Sequence, residues 1–143
     1  MKFFLLTILL LSGFACQAQN KLSWTYSFDK ESNEVILHGE IEEGWHLYSQ
    51  ILKNDVGPVP TTITFEPNKS VKLIGEVRQP QPVVAYDENF GAELDFFEKE
   101  VTFRQTVHVK KPTQLRGMVT YMVCDDQKCL PPIDVHFEIQ LTK

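Results

Sequence analysis

Gly117-Met118-Val119-Thr120-Tyr121-Met122-Val123-Cys124-Asp125-Asp126-Gln127-Lys128-Cys129-Leu130-Pro131-Pro132 is the stretch on which the reading of this chain turns. Thr120 to Val123 favour extended backbone, Asp125 to Lys128 form a polar turn, and Pro131-Pro132 cannot continue a sheet ladder. The two cysteines therefore bracket a loop tip at a strand end. They close a loop of six residues, for which chain entropy gives roughly 2 kcal/mol, near the low end for a disulfide. Spacing alone leaves three uses open: a structural disulfide, a redox-active pair, or a metal site. The metal reading is the weakest, because no second Cys pair and no His-x3-5-His set is present to complete four ligands.

Residues 1–18 carry one early charge, Lys2, then an apolar run from Phe3 to Leu11, and end in small residues including Ala15, Cys16 and Ala18. This pattern reads as a secretory signal peptide cut after Ala18, and the apolar run is too short to span a bilayer. A rival reading makes Cys16 a lipid anchor, but Gly13 stands three residues before it, where that signal usually has Leu. Cutting after Ala18 removes one of the three cysteines and leaves an even pair in a compartment that permits disulfides. Without Lys2, 13 basic side chains face 19 acidic ones, a net charge of −6, and the only basic cluster is Lys110-Lys111. That balance excludes nucleic acid as a natural partner. The remainder, 19–143, suits a single domain.

Outward from the cysteines the chain reads as strands. Leu22, Trp24, Tyr26 and Phe28 alternate on one face, and Val35 to Ile41 follows as a hairpin partner with an irregularity expected at Gly39. Glu42-Glu43-Gly44 turns into Trp45 to Ser49, where His46 and Tyr48 point away from Trp45 and Leu47. After the rigid Gly57-Pro58-Val59-Pro60, Thr61–Phe65 and Val71–Val77 are expected to pair. Val83 to Asp95 is part strand and part exposed acidic loop, Tyr86 to Gly91, in which Phe90 is an unexpected apolar residue. Phe96 to Val109, Leu115 to Cys124 and Ile133 to Leu141 complete the set. No helical period persists beyond the first 18 residues. Short strands, proline-rich connections and no βαβ rhythm predict an all-β fold, an antiparallel immunoglobulin-like β-sandwich, without the Cys-Trp-Cys spacing of antibody domains.

Four pieces of the chain, in this order, resemble the amino-terminal periplasmic domain of the thiol:disulfide interchange protein DsbD. They are Gly44-Trp45-His46-Leu47-Tyr48-Ser49, the loop Asp87-Glu88-Asn89-Phe90-Gly91, the strand Val119-Thr120-Tyr121 running into Cys124, and Cys129-Leu130-Pro131-Pro132. The resemblance implies a cysteine pair that takes electrons from a membrane-embedded reductase and passes them to thioredoxin-fold oxidoreductases, without a cofactor. Four residues separate the cysteines here where the family has five, and Asn89 stands where the family's loop has the first of two aromatics. The sequence carries neither the membrane domain nor the thioredoxin-like domain that usually follows in the family, so the expected donor and acceptor are separate proteins. The mature protein is expected to be a monomer.

By the same resemblance Cys129 is the attacking thiol and Cys124 its resolving partner, an assignment that Lys128 beside Cys129 and Asp125-Asp126 beside Cys124 favour. His46, Tyr48 and Tyr121 form the implied pocket, and Asp87, Glu88 and Phe90 the implied cap, with Phe90 shielding the sulfurs and the carboxylates assisting proton transfer. The plain alternatives are a solvent-facing edge strand at His46 and Tyr48, and an acidic loop with one packed Phe. His38, His108 and His136 lie on separate strands and read as surface or satisfied residues. Met118 and Met122 read as packing rather than copper ligands. Two other functions stay open: a secreted binding module with a structural disulfide, and a periplasmic metal-handling protein.

Overall fold

Period-two burial dominates the structure, a computed structural model that describes residues 20–53 and 57–143. The expected signal peptide, its cut after Ala18 and the possible anchor at Cys16 lie outside the described residues. The strands are β1 Leu22–Asp29, β2 Glu34–Ile41, β3 His46–Tyr48, β4 Thr62–Phe65, β5 Val71–Arg78, β6 Val83–Asp87, β7 Ala92–Glu98, β8 Glu100–Val109, β9 Thr113–Tyr121, β10 Val123–Cys124 and β11 Ile133–Leu141. No helix occurs among the described residues, so none there is long and apolar enough to cross a membrane.

Three antiparallel sheets form, in the orders β1-β2-β8-β5, β11-β9-β4 and β10-β3-β7-β6. The first two supply the faces of a sandwich. Val35, Leu37, Val101, Phe103 and Val107 from one meet Leu115, Val119, Phe137, Ile139 and Leu141 from the other, while the residues between them along each strand are wholly or partly exposed. This is the alternation expected of sheets with one wet face. The hairpin of β1 and β2 runs in unbroken register from Leu22↔Ile41 to Asp29↔Glu34.

The irregularity expected at Gly39 does not occur. Gly39 pairs regularly with Trp24 and Val101. Its missing side chain leaves room for Leu22 and Trp24, whose atoms would stand 3.1 Å from a Cβ there. The expected pairing of Thr61–Phe65 with Val71–Val77 is also absent: β4 pairs with β9 and β5 with β8. Both strands point apolar residues into one core from opposite sheets, Ile63 and Phe65 from β4 and Val71 from β5. The connection is therefore an arch across the sandwich. Asn68 ties it down, accepting from Ser70 N at 2.9 Å and donating to Gln114 O at 3.0 Å.

The third sheet is different because its inner strands, β3 and β7, are covered on both faces. Trp45, Leu47, Phe97 and Val123 face the main core, whereas Tyr48, Leu94, Phe96 and Cys124 form a second, smaller cluster. Hence β3 is buried throughout and β7 is buried at four consecutive positions, 94–97. The strand expected over Leu115–Cys124 accordingly breaks in two at Met122, where the chain leaves the β9 sheet and enters the third one.

Candidate functional site

Two short strands position the cysteines. A turn closed by Trp45 N donating to Glu42 O at 3.0 Å delivers β3, and β10 pairs with it so that Val123 stands opposite Leu47 and Cys124 opposite His46. Cys124 is fully buried, and Cys129, half-buried, is joined to it by a disulfide with a Cα–Cα distance of 4.0 Å. The intervening turn holds its own shape. Asp125 N donates to Lys128 O at 2.9 Å, and the Asp125 carboxylate accepts from Gln127 N and Lys128 N at 2.9 and 2.8 Å. These donors, Gln127 N first, hold the Asp125 carboxyl below the usual carboxylate range. The Lys128 ammonium sits 5.9 Å from the centre of the Trp45 ring, a cation–π contact that ties the turn to the residue just before β3.

The second wall comes from the β6–β7 turn. Asp87 ends β6 and directs the turn with one carboxylate oxygen, which accepts from Asn89 N at 2.8 Å and Phe90 N at 3.2 Å. Its other oxygen accepts from the Tyr48 hydroxyl at 2.6 Å and lies 3.2 Å from His46 Nε2, which is also 3.0 Å from that hydroxyl. Burial, then the bond to Asp87, pushes the Tyr48 hydroxyl far above its ordinary pKa. Phe90, half-buried, meets the Tyr48 ring edge-on at 5.9 Å and packs on the cluster that contains Cys124, as do Met122 and Cys129. Asn89 Nδ2 donates to Asp125 O at 2.7 Å, so the two loops are joined directly.

His46, Tyr48, Asp87 and Phe90 are thus gathered with Cys124 and Cys129 in one place. His46 and Tyr48 are not a solvent-facing edge, since β3 lies between β10 and β7 and both side chains are buried. Asp87 is likewise buried, 4% exposed, against the expectation of an exposed loop. Glu88 is exposed at the rim of a cleft of about 60 Å³ whose walls include His46, Asp87, Phe96, Glu98 and Asp125. Tyr121 is not in the pocket. It lies in the main core, edge-on to Trp24 at 5.7 Å, because alternation puts it on the inward face with Val119. Three contributors were not assigned to the site from sequence: Asn89, which joins the loops, and Trp45 beneath Lys128, both inside the quoted motifs but given no role there, and Phe96, whose ring lies 4.7 Å from that of His46 and which had no distinct signal. Among the described residues no three His, Cys, Asp or Glu side chains are grouped to hold a metal ion.

The family described as thiol:disulfide interchange protein DsbD, N-terminal, matches residues 16–141. Among solved structures, the reduced DsbD N-terminal domain of Neisseria meningitidis superposes with a TM-score of 0.62 at 16% identity, over 86% of this chain and 87% of that one. The complex between the DsbD N-terminal and PilB N-terminal domains of the same organism gives 0.59 at 15% identity, over 82% and 80%. The N-terminal periplasmic domain of ScsB from Proteus mirabilis gives 0.56 at 18%, over 82% of this chain and 44% of that one. No curated protein sequence matches the chain. At such identities the structures establish the fold, an immunoglobulin-like β-sandwich. With the family match spanning nearly the whole chain and a cysteine pair closed at the site, the chain belongs to the DsbD N-terminal family of thiol:disulfide interchange domains.

Proposed function

We propose that this protein is an exported electron relay, a monomer that takes electrons from a separate membrane reductase and gives them to thioredoxin-fold partners through Cys124 and Cys129. The observation that carries the reading is the asymmetry of the pair: Cys124 is fully buried, whereas Cys129 is partly open to solvent beneath the loop that bears Phe90. A disulfide with one reachable sulfur reacts at that sulfur and resolves through the other. In the reduced protein the Cys129 thiolate attacks the partner's disulfide, forming a mixed disulfide and releasing one partner thiolate. Cys124 then attacks Cys129 Sγ, which closes the internal disulfide and releases the second partner thiol. Two electrons have passed to the partner, and the membrane donor restores the dithiol.

The cap residues have a role in this cycle. Phe90 shields the sulfurs between encounters, and Asp87 holds the turn that carries it. The test is trapping. A Cys124→Ser variant should accumulate a covalent complex with a thioredoxin-fold protein, because no resolving thiol remains, and Cys129→Ser should trap little. If neither variant traps a partner and loss of both cysteines merely lowers the melting temperature, the pair is a staple and the protein a binding module. A reduction potential gives the same division, structural disulfides lying below about −300 mV.

A further inference from the structure

His46 occupies a position that a packing residue does not need. It stands directly opposite Cys124 on β10 and opposite Glu98 on β7. Directly paired residues share a sheet face with Cβ atoms about 5 Å apart, so Cys124, His46 and Glu98 form one row across three strands. One ring nitrogen, Nε2, is engaged with Asp87 and Tyr48 at 3.2 and 3.0 Å. The carboxylate and the hydroxyl already share a hydrogen bond that the hydroxyl donates, so Nε2 serves as donor and the proton-accepting nitrogen is Nδ1. Nδ1 has no hydrogen-bond partner among the described residues.

Building on the exchange reading above, we propose that His46 is the proton carrier for Cys124. When Cys124 attacks the mixed disulfide at Cys129, its thiol proton passes to His46, the Cys124–Cys129 bond forms, and the partner leaves as a thiolate that takes a proton from water. In the reverse direction an incoming thiolate attacks Cys129, the internal S–S bond breaks, and His46 returns the proton to the departing Cys124 thiolate. A thiol that is wholly buried has no bulk water to take its proton, which is the need His46 meets. Carboxylates stand around the ring. Asp87 faces it from the end of β6, Glu88 from the turn that follows, Glu98 from β7, and Asp125 and Asp126 from the turn after β10; the tyrosines Tyr86 on β6 and Tyr48 on its own strand, and Phe96 on β7, complete its surroundings. This also gives a use to the carboxylates around the cleft: they stabilise the imidazolium that each exchange creates.

The step can be isolated with 5,5′-dithiobis(2-nitrobenzoate) on the reduced protein. Attack by Cys129 releases one coloured thiolate in a phase that depends on reagent concentration. Resolution by Cys124 releases a second in a phase that does not. We expect the second phase to show a break at the pH where the His46 ring is seen by NMR to change protonation. His46→Gln should abolish the break and slow that phase by about tenfold or more at pH 7, the lower range for a positioned acid or base being about a hundredfold, with the first phase unchanged. An unaltered second phase in a folded His46→Gln protein overturns the proposal. So does a second phase of the unsubstituted protein without a break, or with a break that fails to coincide with titration of the His46 ring followed by NMR, whichever way the variant folds. Absence of any second phase in the unsubstituted protein would instead remove the exchange reading itself.

Discussion

Replacing Phe90 by Ala tests whether the β6–β7 turn controls access to the sulfurs. The turn should survive the change, because Asp87 holds it through the backbone N–H groups of Asn89 and Phe90 and through its own carbonyl, which accepts from Gly91 N at 2.8 Å. What is lost is side-chain contact. Fully burying a side chain of this size is worth about 1.5–3 kcal/mol, so a half-buried Phe90 contributes about 1. The edge contact with Tyr48 adds about another 1. Closure is thus weakened by about 2 kcal/mol, which corresponds to about a thirtyfold larger open fraction. Because Cys129 is already partly exposed with the cap in place, thirtyfold is a ceiling. A rise of about three- to thirtyfold is expected in the second-order rate of alkylation of the reduced protein by iodoacetamide. Rates in guanidinium, where both proteins are unfolded, should coincide. A Phe90→Ala protein with an unchanged near-ultraviolet circular dichroism spectrum and an unchanged alkylation rate would refute the cap.

Two further expectations concern the scaffold. Gly117→Ala should destabilise the fold by about 3 kcal/mol or more in urea unfolding, since a Cβ there would stand 2.4 Å from both the Phe137 ring and the backbone oxygen of Thr64, and backbone cannot yield as a flexible side chain does; a loss under about 1 kcal/mol would show that β4 shifts freely. Burial raises the Tyr26 hydroxyl to about 12, so the native state binds that proton more tightly than the unfolded chain, and stability present below about pH 10 should fall as pH rises towards about 12. Tyr26→Phe should flatten part of that decline, and an equal decline in the variant would place its cause elsewhere.

Strand periodicity carried the sandwich because its two main sheets each have a wet face, and alternation along β1, β2, β8 and β11 is legible without tertiary information. It loses force in β3 and β7, where the second face is covered from elsewhere in the fold: the cysteine turn is distant in sequence from both, and the Asp87–Gly91 turn, though it leads into β7, is distant from β3. A carboxylate such as Asp87 reads as exposed for the same reason. Its burial depends on donors from Tyr48, Asn89 and Phe90 that only the folded chain assembles. The Glu66–Ser70 connection shows a different limit, since a short turn between two β-branched runs is equally compatible with a hairpin and with an arch between sheets, and the outcome rests on which strands compete for each edge. The placement of Tyr121 follows from parity alone. It lies three positions before Cys124, so in extended chain the two face opposite ways; Tyr121 and Val123 accordingly enter the main core while Met122 and Cys124 enter the smaller cluster. The same parity rule, applied across strands instead of along one, sets His46 beside Cys124. That relation depends on the β3–β10 register, and nothing local in either segment encodes it.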